Sequence, residues 1–238
     1  MSGLKMASHM MAILLVCSLS ACSSTRLNDV RSVISAAFTG GSVDGSRLKP
    51  DHTYLQIDSN GQRSFVVLAS VDDHPDGPVE VYFGGQRQVL RLQNGRVVGA
   101  VGYTSEWRNV SLKNVPSWTA VKNAPQPLTL QRVRDVMPGY RYGIHDQVTL
   151  RSIATPQKGT LLRVAPAGLS WFQEDNQAMS NVPSNGLMTP ARVEAPLPPA
   201  RYAVAFASST ATVIYAEQCL APDLCFSWQR WTPDKRSR

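Results

Sequence analysis

The sequence predicts a mainly β protein: an antiparallel curved sheet, sandwich or open barrel, with one amphipathic helix on its N-terminal side. Three observations carry this expectation. After Pro50 the apolar residues fall in short runs divided by turn dipeptides such as Asn60-Gly61, Gly84-Gly85 and Asn94-Gly95, the grammar of hairpins. Only one earlier stretch has helical spacing. Hydrophobic residues make up 43% of the 238 positions and charged residues only 17%, with 16 Gly and 16 Pro, a balance that excludes collagen-like, low-complexity and charge-driven disordered chains.

The first element is a leader. Met10 to Leu19 is an apolar run preceded by Lys5, the pattern of a secretory signal. Ten helical residues reach about 15 Å against about 30 Å of bilayer hydrocarbon, so the run is too short to span. Leu19-Ser20-Ala21-Cys22 follows at once and resembles the bacterial lipoprotein signal. Residues 1–21 are therefore expected to be a cleaved signal peptide, with Cys22 as the lipid attachment site. Several acyl chains, palmitate among them, make such an anchor lasting where one chain is marginal. Ser23 stands where Asp would favour retention in the inner membrane, so an outer-membrane, periplasm-facing location is expected.

Residues 22–26 form a short lipid-bearing tether, and 27–238 form a single β-rich domain. Between Leu27 and Phe38, Leu27, Val30, Val33, Ile34, Ala37 and Phe38 recur at three- and four-residue spacing, one face of a helix. Gly40-Gly41 ends it. With only Ser23 to Arg26 between lipid and helix, the domain is expected to lie close to the bilayer.

Strands are expected at Tyr54–Ile57, Arg63–Val71, Val79–Phe83, Gln88–Leu92 and Arg96–Tyr103. Further ones are expected at Leu128–Val136, Val148–Ile153, Thr160–Val164, Tyr202–Ala207, Thr212–Glu217 and Phe226–Trp231. Arg63–Val71 is apolar on both alternating faces and should be covered on both sides. In the last strand Phe226 and Trp228 share one face and Trp231 takes the other. Residues 180–199 carry Pro183, Pro190, Pro196, Pro198 and Pro199 without periodicity and read as a long Pro-rich loop.

Besides Cys17 in the leader and Cys22, only Cys219 and Cys225 remain. In an oxidising compartment two leftover cysteines pair most simply as a disulfide. A zinc ribbon would need a second pair or nearby histidines, and neither is present.

The formal charge of +7 raises nucleic acid, anionic membrane or acidic polymer as partners. Export removes nucleic acid. Arg132, Arg134, Arg141, Arg151, Lys158 and Arg163, with the tail Lys235-Arg236-Arg238, read as a dispersed solvated surface that an acidic polysaccharide could meet. Trp107, Trp118, Trp171, Trp228 and Trp231 are candidates for core or for sugar stacking. Asp72-Asp73-His74-Pro75-Asp76 reads as a surface turn, with calcium the lesser alternative.

No Walker A, G-x-G-x-x-G, H-E-x-x-H or G-x-S-x-G motif is present. His52, His74 and His145 stand apart. No catalytic residue, metal ligand, cofactor or ligand-binding residue is assigned, and the chain is expected not to be an enzyme.

Four segments carry a resemblance. Tyr54-Leu55-Gln56-Ile57, Gly61 to Leu68 (GQRSFVVL), Asn94-Gly95-Arg96-Val97-Val98 and the stretch Tyr202 to Pro222 are similar to the framework of the YjbF/GfcB family of group 4 capsule lipoproteins. The resemblance implies an outer-membrane lipoprotein that acts without enzymatic chemistry in capsule or exopolysaccharide assembly or export. It implies as partners an outer-membrane β-barrel and a periplasmic β-rich protein. The alternative is a periplasmic carrier that holds a lipid or glycan in the concavity of a curved sheet. A contiguous apolar cavity would favour the carrier, and a filled core would favour docking.

Overall fold

Asn60 and Asn94 have φ of 54° and 50°, and the glycines after them 79° and 80°. Both dipeptides thus form turns with two left-handed residues, whose twist matches that of the strands they join. They close the first and fourth of the antiparallel connections that build the described sheet. The computed structural model describes residues 48–85, 87–157, 168–178, 195–207 and 210–232. The leader, Cys22, the helix expected at Leu27–Phe38, the strand expected at Thr160–Val164, most of the Pro-rich loop and the basic tail lie outside these residues.

The strands are β1 (Tyr54–Ser59), β2 (Gln62–Asp72), β3 (Val79–Phe83), β4 (Val89–Gln93), β5 (Arg96–Val101) and β6 (Glu106–Lys113). Then come β7 (Leu128–Met137), β8 (Arg141–Ile153), β9 (Ser170–Ala178), β10 (Ala200–Ala207), β11 (Thr210–Ala221) and β12 (Leu224–Trp231). One short helix, α1 (Trp118–Asn123), sits between β6 and β7, with the Ser117 hydroxyl accepting from the Ala120 N–H at its start. β6, β9 and α1 are additions to the sequence expectation. Each strand pairs antiparallel with its sequence neighbours, and β1 also pairs with β12. The expected curved antiparallel sheet is therefore found, and it is closed rather than open.

Closure removes unpaired edges and sorts the connections onto two ends. The β2–β3, β4–β5, β6–β7, β8–β9 and β10–β11 connections lie at one end, with the start of β1 and the finish of β12. The remaining turns lie at the other.

Alternation fills the interior. Leu55, Tyr82, Leu90, Leu92, Ile144 and Trp228 are among its fully buried side chains, the aliphatic ones each contributing roughly 1.5–3 kcal/mol by leaving water. β2 is covered on both faces only around its middle, at Phe65–Val67: Val66 points into this core, while Phe65 and Val67 join Leu48, Tyr54 and Trp231 in an outer cluster. Its far end is open, and Val71 is exposed. As the alternation of β12 requires, Phe226 and Trp228 belong to the interior and Trp231 to the outer cluster.

β5 reaches across the barrel to β11. The Gln218 side chain accepts from the Val97 N–H at 3.0 Å and donates to the Gly95 carbonyl at 3.1 Å, and the Trp107 indole donates to the Leu220 carbonyl at 2.9 Å. Gly95 is needed here twice over. Its φ is left-handed, and a Cβ on it would come within 2.4 Å of a Val213 methyl. Between Gln218 and Leu220, Cys219 is directly paired with Cys225 across the β11–β12 hairpin and joined to it by a disulfide.

Candidate functional site

The alternation that buries Leu130 and Val136 of β7 also buries Arg132 and Arg134 between them. On β8, Asp146 lies between Ile144 and Val148 on the same inward face, and on β9 Glu174 follows Phe172. The barrel interior thus contains charged residues among its apolar ones. These two arginines, read from sequence as solvated surface, are 8% and 2% exposed. The reason is strand parity, which places them on the core face whatever their polarity.

Burial of charge is tolerable only when partners are supplied. Asp146 Oδ2 accepts from Arg132 Nε at 2.8 Å and from Arg134 Nε at 2.7 Å, and its Oδ1 accepts from Arg134 Nη2 at 3.2 Å. Arg132 Nη2 also donates to the Asn176 side chain at 2.8 Å. Both guanidinium groups lie over the Trp107 ring, where a desolvated cation gains from the π face.

A second group adjoins it through β9. Arg96 Nε donates to Glu174 Oε1 at 2.6 Å, and the Arg96 guanidinium lies 4.1 Å from the centre of the Trp118 ring. The Tyr202 hydroxyl is 2.9 Å from Glu174 Oε2 and 3.2 Å from the Gln218 side-chain oxygen. Burial, reinforced by the Glu174 carboxylate beside it, holds the Tyr202 phenol well above its ordinary pKa, so it stays a neutral donor. Among the described residues that are buried, three guanidinium groups stand against two carboxylates. Arg96 Nη2 has no hydrogen-bond partner among the described residues.

Above Arg96 the barrel end opens into a cleft of about 730 Å³. Asn94 of the β4–β5 turn, Arg96 at the start of β5, Ser111 to Thr119 from the end of β6 into the start of α1, Asp76 of the β2–β3 loop and Ala211 of β11 line it. The lining is mixed: one buried cation, the exposed Lys113, one carboxylate, a set of neutral amides and hydroxyls, and the apolar Leu112, Val115, Pro116, Trp118 and Ala211.

The three histidines are not brought together. His52 packs edge-on near Tyr54, His74 lies in the β2–β3 loop beside Gln93, and His145 is exposed on β8. The Asp72–Asp76 turn is exposed, and no group of metal-binding side chains occurs among the described residues. Trp107, Trp118, Trp171 and Trp228 are buried; none of these four presents a free ring for stacking. Arg151 is exposed and paired with Asp175. Sequence reading missed the buried cluster, yet the signal was present. Leu130, Arg132, Arg134 and Val136 sit two apart, so apolar residues bracket the arginines on one face.

The family described as group 4 capsule polysaccharide lipoprotein gfcB, YjbF, matches residues 46–226, which covers the barrel from before β1 into β12. A solved structure, that of the hypothetical lipoprotein YmcC from Escherichia coli (K12), superposes with a TM-score of 0.59 at 15% identity, over 87% of this chain and 97% of that one. At that identity the likeness establishes the fold. No curated protein matches the chain in sequence.

Proposed function

The chain belongs to the YjbF family of group 4 capsule polysaccharide lipoproteins, and from that membership we infer that it is a non-enzymatic accessory of capsule or exopolysaccharide assembly or export. The observation that carries the reading is the extent of the match, which spans nearly the whole barrel rather than one motif. Lipid on Cys22 would hold the barrel at the periplasmic face of the outer membrane, a placement supported by Leu19-Ser20-Ala21-Cys22 and by Ser23 after it. An outer-membrane β-barrel and a periplasmic protein of the same secretion system are the partners this role requires.

The architecture supports docking over carriage. A lipid carrier needs an apolar chamber, whereas here Trp228, Tyr82, Tyr202 and the Arg132–Asp146–Arg134 group fill the interior. Because the sheet is closed, partners would meet the two loop-bearing ends rather than a strand edge. Tyr140 in the β7–β8 turn and Tyr142 at the start of β8, exposed at 75% and 60%, give the end opposite the cleft the amphipathic side chains common at interfaces.

Anchoring is the part of this role most open to test. Intact-mass analysis of the membrane form should show acylated Cys22, and Cys22→Ser should accumulate unprocessed or mislocalised protein. A soluble form beginning after Cys22 should restore polysaccharide export poorly, because tethering raises the local concentration near membrane partners. Normal maturation of the Cys22→Ser protein, or full rescue by the soluble form, counts against it.

A further inference from the structure

We propose that the cleft at the β4–β5 end of the barrel binds an acidic sugar unit, a hexose bearing a carboxylate, with that carboxylate drawn to Arg96 and Lys113. The choice of a sugar among anions rests on the polysaccharide reading above; the choice of an anion rests on the interior itself. Among the described residues that are buried, Arg96, Arg132 and Arg134 stand against Asp146 and Glu174, one positive charge in excess. Arg96 is the member of that cluster that lines the cleft, and although it is only 3% exposed its Nη2 has no partner among the described residues. A desolvated, unpaired donor on a cation is costly, and an anion entering from the cleft offsets that cost. Lys113, exposed on the same wall, adds a second attraction.

The rest of the lining selects what carries the anion. Asn94, Ser111, Asn114 and Thr119 offer neutral donors and acceptors, and Asp76 adds an acceptor-only carboxylate. Inorganic phosphate at neutral pH is mainly acceptor and is repelled by Asp76. A sugar acid brings hydroxyls that donate to Asp76 and the amides, and one carboxylate for the cations. Trp118, 4% exposed with a face taken by Arg96, does not serve as a stacking platform, so recognition is by hydrogen bonds and charge. The volume of about 730 Å³ lies within the usual range for small-ligand sites.

The test uses the full chain purified in detergent, isotope-labelled, and titrated with a β-1,4-linked tetramer of glucuronic acid, with cellotetraose, and with inorganic phosphate. The tetrauronate should shift the backbone amides of Asn94, Arg96, Lys113, Asn114 and Thr119 saturably, and cellotetraose and phosphate should bind at least about tenfold more weakly. Lys113→Glu should weaken tetrauronate binding by about tenfold or more. Ser111→Trp, at an exposed strand position on the cleft wall, should abolish it, both variants keeping the wild-type melting curve. Absence of shifts at these amides up to millimolar tetrauronate, equal binding of all three probes, or undiminished binding by Ser111→Trp overturns the proposal. These readouts use purified protein, so they fail separately from the export role, which is judged in cells.

Discussion

The Arg96 guanidinium on β5 and the Glu174 carboxylate on β9 meet at 2.6 Å inside the barrel although 78 positions separate them in the chain. Together with Gln218 reading the backbone at Gly95 and Val97, this pair ties the β4–β5 turn to the opposite wall. The interior is thereby filled by specific polar bonds as well as by apolar packing, and it leaves the cleft above Arg96 at the barrel end.

The same logic makes Asp146 a sensitive position. Asp146→Ala removes the shared acceptor of Arg132 and Arg134 and leaves two buried cations uncompensated. Removing one partner of a buried ion pair costs about 3–5 kcal/mol. Urea denaturation should show a loss of that order, and an unchanged midpoint would mean the interior is wetter than described.

Gly95 and Gly61 form a matched pair. Both have left-handed φ, +80° and +79°, but a Cβ at Gly95 meets Val213 at 2.4 Å while one at Gly61 meets nothing within 4 Å. Gly61→Ala should cost only the backbone strain, about 1 kcal/mol. Gly95→Ala should cost clearly more, by about 1–3 kcal/mol for forced overpacking, read as the difference in melting free energy. Equal costs would contradict the close approach of β5 to β11.

Much of this was legible in the chain. The Asn-Gly turns fix where hairpins fold, and continuous apolar runs locate β2, β3 and β10. β9 was not legible because its inward face carries Glu174 after Phe172, so polarity does not alternate. In β6 a register shift between Trp107 and Asn109 breaks the period of two. The six-residue helix α1 is too short for helical periodicity to show. Barrel closure depends on the pairing of β1 with β12 across the whole chain, which no local pattern announces.

The Cys219–Cys225 disulfide closes a hairpin with a sequence separation of 6. Restricting so short a loop in the unfolded chain contributes about 2–3 kcal/mol. Non-reducing peptide mapping should recover the two cysteines linked, and a Cys219→Ser, Cys225→Ser protein should be less stable by about that amount. Free thiols in freshly isolated protein would refute the pairing.

Glu217 provides a pH signature. Burial raises its carboxyl above the ordinary value, and the bonds from Tyr215 and Arg201 only partly offset this. The folded state therefore holds this proton more tightly than the unfolded state. Its stabilising effect is present below the unfolded carboxyl pKa of about 4.3 and is lost as pH rises through the raised folded value. Glu217→Gln keeps an acceptor for the Tyr215 hydroxyl without the charge. Its stability relative to wild type should rise across that window and then level off toward neutral pH. A relative stability that falls with rising pH would reverse the assignment.

The proposed role, assisting polysaccharide export without chemistry on the polymer, is read out by the quantity and repeat-unit composition of surface and secreted polysaccharide in a deletion strain. A lower yield of polymer with an unchanged repeat unit, restored by the lipid-anchored chain, is the expected result. An altered repeat unit at unchanged yield would contradict it.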